Sequence, residues 1–177
     1  MVKKIRLPED APLFGSLKAG DRVLLSGVVY TARDAAHRRL TEMMKKGEPL
    51  PFALAGQTIY YAGPCPAPAG KSSGSCGPTT SYRVDVFTPA LLDAGLKGMI
   101  GKGERGEAVV KSIVRNRAVY FAAIGGLGAT YGNAIRKSEC IAFPDLLSEG
   151  VHRLEIEDFP VVVAIDADGG SIYGKRT

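Results

Sequence analysis

Three features are scarce in this chain of 177 residues: thiols, clustered basic residues and uninterrupted apolar stretches. The only cysteines are Cys65, Cys76 and Cys140, and no two of them form a CxxC pair. An odd count argues against a secreted disulfide framework. The spacing gives no support to an iron–sulfur ligand set, so buried or incidental thiols fit better. A Cys65–Cys76 disulfide stays open, mainly for a hyperthermophilic source. The net charge of +5 is carried by scattered residues, and the tail Gly174-Lys175-Arg176-Thr177 is too short to count as a basic run. With no basic stripe interleaved with aromatics, nucleic-acid binding is not expected. A soluble domain with an anionic ligand or acidic partner fits this mild excess better.

The most apolar segment, Ala118 to Ala134, is broken by Gly125, Gly126, Gly128 and Gly132. It is shorter than the roughly 20 apolar residues a spanning helix needs. Met1 to Asp10 has no apolar core of the kind a secretory leader carries. The expectation is a cytoplasmic protein with no membrane contact.

Apolar residues make up 45% of the chain, enough for a packed core, and no internal boundary or repeat is visible. Residues 1–177 are expected to form one domain. Ile5 to Leu7 and Arg22 to Tyr30 read as strands, the second apolar on both faces. Thr31 reads as the cap of a helix whose stripe is Ala36, Leu40, Met43 and Met44, ended by Gly47. Gln57 to Ala62 is expected to be a strand, and residues 63–77 a functional or mobile loop. Thr88-Pro89 opens a short helix through Leu96, Glu107 to Val114 a second, and Ala118 to Ile124 a strand. Glu139 to Phe143 reads as a strand ended by Pro144. Leu154 to Ile156 and Val161 to Ile165 read as two strands joined at Phe159-Pro160, and Asp166 to Gly170 as a turn.

The stretch with most chemical content is Gly74-Ser75-Cys76-Gly77-Pro78-Thr79-Thr80-Ser81-Tyr82-Arg83. Pro78 suits the first position of a helix. Such a helix would aim free N–H groups, the Thr79 hydroxyl and the Arg83 guanidinium at one anion, or it would be an N-capped surface helix. Arg33 is placed in the first turn of the preceding helix, where a cation is locally unfavourable and a bound anion offsets the conflict; a solvated surface arginine is the alternative. Lys102 lies between Gly101 and Gly103, a backbone free to bend its ammonium into a cavity or out to solvent. His37 reads more readily as a hydrogen-bonded structural histidine than as a catalyst.

Five stretches in order resemble one family: Thr31-Ala32-Arg33-Asp34-Ala35-Ala36-His37, Tyr61-Ala62-Gly63-Pro64, Gly77-Pro78-Thr79-Thr80 with Arg83, Gly98-Met99-Ile100-Gly101-Lys102-Gly103, and Gly125-Gly126 with the closing Phe159-Pro160 to Asp166 segment. Together they are similar to the β subunit, or C-terminal domain, of iron–sulfur class I fumarate hydratases and the related L-tartrate dehydratases. The resemblance implies an α/β fold, a three-layer β/β/α swivelling domain with a mixed sheet. It implies a hydro-lyase subunit that hydrates fumarate to (S)-malate reversibly, with L-tartrate dehydration or a non-catalytic dicarboxylate-binding module as alternatives. It further implies an α-subunit partner that carries the [4Fe–4S] cluster. Arg33, Arg83 and Lys102 then correspond to the cations that bind a small dicarboxylate, with Lys102 also catalytic. Thr79 corresponds to the proposed base or else only positions the substrate. The family usually has a small residue where Tyr82 stands.

Overall fold

The computed structural model describes residues 1–174. Seven strands form one mixed sheet, in the order β1-β2-β3-β4-β5-β7-β6 with an added β2–β7 pairing. The strands are β1 (Val2–Leu7), β2 (Arg22–Thr31), β3 (Thr58–Tyr60), β4 (Gly98–Gly101), β5 (Val119–Ala122), β6 (Ile135–Ala142) and β7 (Val151–Ile165). The helices are α1 (Asp34–Lys46), α2 (Thr88–Asp93), α3 (Glu107–Asn116) and α4 (Gly128–Asn133). This is an α/β fold with a mixed sheet, as the resemblance implied.

β1 to β5 run parallel to their neighbours, whereas β7 is antiparallel to β2, β5 and β6. The pairings β2–β3, β3–β4, β4–β5, β5–β7 and β7–β2 therefore close a circuit. Alternation along the short central strands divides the interior into two cores. Tyr60, Ile100, Val119 and Phe121 face inward with Leu7, Phe14, Leu25, Leu154 and Phe159. Ile59, Met99 and Tyr120 face the other way, onto Ala36 and Leu40 of α1, Leu91 and Leu92 of α2, and Val109 and Ile113 of α3.

Gly47 ends α1 in the left-handed conformation with φ 68°, and its N–H caps the last carbonyls. The cap at the other end is Arg33, not Thr31. Thr31 closes β2 instead, where its Oγ1 accepts the N–H of His152 at 3.0 Å. Phe159-Pro160 does not make a turn: β7 is one strand of 15 residues. It bends where Asp158 takes φ 48°, and Pro160 stands opposite Leu24 of β2. The glycine-rich stretch after β5 ends in α4. β6 begins at Ile135, four residues ahead of the expected Glu139. Asp166 does hold a turn, accepting the N–H groups of Asp168 and Gly170 on Oδ1 at 3.0 and 2.9 Å. Among the described residues, no helix is long and apolar enough to cross a membrane.

Candidate functional site

The parallel register places Thr31, Tyr60, Ile100 and Phe121 side by side across β2, β3, β4 and β5. The segments that follow these positions emerge together at the carboxyl edge of the sheet. Arg33 follows β2, Gly63 follows β3, Lys102 follows β4 and Gly125 follows β5. Loops at the carboxyl ends of parallel strands are the usual place for a site in an α/β sheet.

The stretch from Pro78 is not a helix. Thr79 and Thr80 are drawn into the sheet edge as an extended segment, with an isolated parallel bridge between Thr80 and Lys102. The N–H of Ser81 donates to the Lys102 carbonyl at 3.0 Å, and the N–H of Lys102 to the Thr79 carbonyl at 3.3 Å. Only Ser81–Val84 coils, as a single 3-10 turn. The reading of free helix-start amides at Thr79 is thereby overturned, because the Thr79 N–H donates to the Tyr61 carbonyl at 2.7 Å. The Thr79 hydroxyl donates to the same oxygen at 2.8 Å. Its proton is thus committed inward, and its lone pairs remain to accept a hydrogen bond.

Arg33 occupies the N-cap position of α1 in extended conformation. Its Nε lies 3.3 Å from Glu149 Oε1, an ion pair without hydrogen-bond alignment. The side chain also passes Gly63, where a Cβ would stand 3.3 Å from Arg33 Cδ and 2.7 Å from the Ser148 carbonyl oxygen. Gly63 is therefore needed for three segments to meet. Arg83 pairs with Asp34, the first residue of α1, at 3.0 Å. It lines a cleft of about 660 Å³ with Asp34, Tyr82, Asp85, Val86 and Glu107. Tyr82 is exposed on the rim of that cleft. Lys102 is exposed and lies along Gly125, its Nζ 3.6 Å from where a Cβ there would stand. Contacts thus link Arg83 to Asp34, next to Arg33, on one side. On the other side they link Tyr61 to Thr79, Lys102 and Gly125. All four sequence-predicted residues lie on this one edge, and both arginines already hold carboxylates of the chain itself.

Behind the edge lies a polar core that sequence reasoning missed. Arg105 is 6% exposed, yet it stands in Gly103-Glu104-Arg105-Gly106, a stretch that reads as solvated loop. Its Nε donates to Asp85 Oδ1 at 2.6 Å, Nη2 to Thr88 Oγ1 at 2.8 Å and Nη1 to the Tyr61 hydroxyl at 3.3 Å. Its guanidinium lies over the rings of Tyr61 and Tyr120 at 5.2 and 4.9 Å. No local pattern marks it; a guanidinium between two aromatic rings needs residues from four separate segments. Asp34 and Glu149 meet the two arginines as ion-pair partners that no sequence spacing marks.

His37 is fully buried, with its ring 5.4 Å edge-on to Tyr61. Nδ1 lies 2.9 Å from the Arg33 carbonyl, which can only accept, so Nδ1 carries the proton. Nε2 is buried without a partner. Burial pushes the imidazole pKa down to about 4, and the nearby Arg105 adds to that effect. His37 is accordingly neutral at pH 7 and holds the Arg33 backbone rather than reaching the edge.

The thiols do not form a cluster-binding set. Cys76 is buried, and burial pushes its pKa up to about 12, so it is not a ready thiolate. Cys65 and Cys140 are exposed and line a separate cleft of about 380 Å³ with His152. Among the described residues, no group of three or more His, Cys, Asp or Glu side chains is placed to hold a metal ion.

Comparison with known proteins gives the geometry a context. The sequence model of a family described as Fumarase C-terminus matches residues 2–176. Fumarate hydratase 2 of Leishmania major is 39% identical over 158 residues, which is 88% of this chain and 28% of that protein. The aerobic class I fumarate hydratase of Escherichia coli strain K12 is 36% identical over 154 residues, 86% of this chain and 28% of that protein. This chain therefore spans just over a quarter of the length of those relatives. A protein of Methanocaldococcus jannaschii described as a putative L(+)-tartrate dehydratase subunit beta is 40% identical over 163 residues, 89% of this chain and 84% of that protein.

Proposed function

This chain belongs to the Fumarase C-terminus family, and we propose on that basis that residues 1–177 act as a single β-subunit domain of a two-subunit fumarate hydratase. In this reading it interconverts fumarate and (S)-malate in the cytoplasm, together with an α subunit. Support for a separate partner comes from the Methanocaldococcus relative, which is described as a subunit and is matched over most of its length. The same relative favours L-tartrate dehydration as the second reading. A [4Fe–4S] cluster, expected for a class I enzyme, is assigned to the α subunit, since the thiols of this chain do not make a site for it.

The observation that carries the proposal is the gathering of Arg33, Thr79, Arg83 and Lys102 on one sheet edge. A four-carbon dicarboxylate needs a cation at each end, and the fork of arginine suits a carboxylate in particular. Glu149 and Asp34 hold the two guanidiniums at 3.3 and 3.0 Å. Each arginine already faces a carboxylate of the chain, and in this reading the substrate would take its place. Hydration and its reverse move a proton at the carbon next to a carboxylate, which places extra negative charge on that carboxylate. Cations already in position bind this developing charge more strongly than the ground state. Lys102 supplies a further, exposed positive charge. Thr79, whose proton points to Tyr61, presents lone pairs and is proposed to orient the substrate; to take the proton from carbon it would first have to lose its own hydroxyl proton and act as an alkoxide.

Co-expression with an α subunit and assay of the purified pair tests the proposal. Fumarate hydration is expected. Turnover of L-tartrate alone would select the second reading, and activity of this chain without its partner would overturn the two-subunit assignment.

A further inference from the structure

We infer that Arg105 is a positioning residue for the edge that carries Thr79, Arg83 and Lys102, holding their supporting segments in one register from beneath. The inference rests on the functional reading above for its kinetic consequence, although its structural consequence stands apart.

One guanidinium touches a side chain from each segment that supports the edge. Through Tyr61 it reaches the residue whose carbonyl accepts both the N–H and the hydroxyl of Thr79. Through Asp85 and Thr88 it holds the chain that directly follows the Ser81–Val84 turn, which bears Arg83. Tyr120, under the guanidinium, donates its hydroxyl to the Gly103 carbonyl at 2.8 Å and shares a hydrogen bond of 2.8 Å with Ser81. Gly103 and Ser81 flank the bridge between Lys102 and Thr80. Asp85 completes the unit: its second oxygen accepts the N–H of Gly106 at 2.6 Å, which fixes the backbone beside Arg105.

A buried ion pair is a poor way to gain stability, because apolar residues of similar volume often serve as well or better. A planar donor with five N–H groups does what an apolar residue cannot: it sets the relative angles of several partners at once. Reacting groups displaced by about 1 Å lose about a hundredfold in rate, so such a fixture has kinetic value out of proportion to its stability.

Two variants test this in the assembled enzyme: Arg105→Lys, and the paired Arg105→Met/Asp85→Leu, which removes both charges together. In each, kcat is expected to fall about tenfold or more, with KM changed far less. Amide hydrogen exchange of the full chain alone should quicken at Thr79, Ser81 and Lys102 in both variants, while the α1 and β2 amides keep wild-type protection. Wild-type kcat in either stably folded variant, or exchange that rises uniformly across the chain, would overturn the role. Should the wild-type pair lack hydratase activity while the local exchange pattern appears, the positioning role stands and the proposed reaction fails.

Discussion

The hydroxyl and the backbone N–H of Thr79 end on a single acceptor, the carbonyl oxygen of Tyr61, at 2.8 and 2.7 Å. This double anchorage across 18 residues fixes the Thr79 oxygen and turns its lone pairs outward. Thr79→Ser keeps both bonds and is expected to retain activity within a few-fold. Thr79→Val keeps the shape and loses the oxygen. If the hydroxyl handles the proton, the variant should fall about 10²- to 10⁴-fold in kcat, the range of general acid–base catalysis. A loss confined to KM would show that the oxygen only binds substrate.

Arg83 pairs with Asp34 at the surface, with 58% of its side chain exposed. An exposed pair of this kind contributes less than about 1 kcal/mol to stability. Arg83→Lys should therefore melt as the wild type does, while losing about 1.5–3 kcal/mol of transition-state binding in the assembled enzyme. Calorimetry alongside kcat/KM checks both halves, and wild-type turnover would remove Arg83 from the site.

Asp85 faces a guanidinium with no solvent-exposed side-chain surface. Asp85→Ala strands that charge and should cost about 3–5 kcal/mol of unfolding free energy, seen as an earlier urea midpoint. Removing both members of the pair should cost less than removing the acid alone, and a double-mutant cycle measures the difference.

His37 couples stability to acid. Its folded pKa, about 4, lies below the usual 6.5, so the unfolded chain takes up a proton first as pH drops. The stabilisation from keeping the ring neutral is complete above about pH 6.5 and is lost as pH falls toward 4, by about 3 kcal/mol in all. His37→Gln should lack this slope when unfolding free energies are compared from pH 7.5 to 4. Parallel curves for the two proteins would mean that the ring is not desolvated as described.

Much of the framework was legible. The strands β2, β3 and β5 follow from their apolar runs, and the left-handed Gly47 from glycine's freedom at positive φ, whereas the short β4 was not read as a strand. Phe159-Pro160 misled because proline ordinarily ends a strand. Here β7 bends at Asp158 and continues, held by β2 and then β5. Helix geometry was also misassigned at Pro78, since the preference of proline for a helix start competes with any nearby carbonyl able to draw the chain out straight.

The residue types of the edge were set by sequence alone: two arginines, a lysine and a threonine, which together suit an anion. Their arrangement was decided by tertiary structure. The Tyr61 carbonyl takes the Thr79 donors, Glu149 and Asp34 meet the arginines, and Arg105 enters the core between two tyrosines. Local preferences among extended, turn and helical backbone differ by about a kilocalorie per residue or less. A buried acceptor or an unpaired buried charge outweighs that difference, and its partner can come from any distance along the chain.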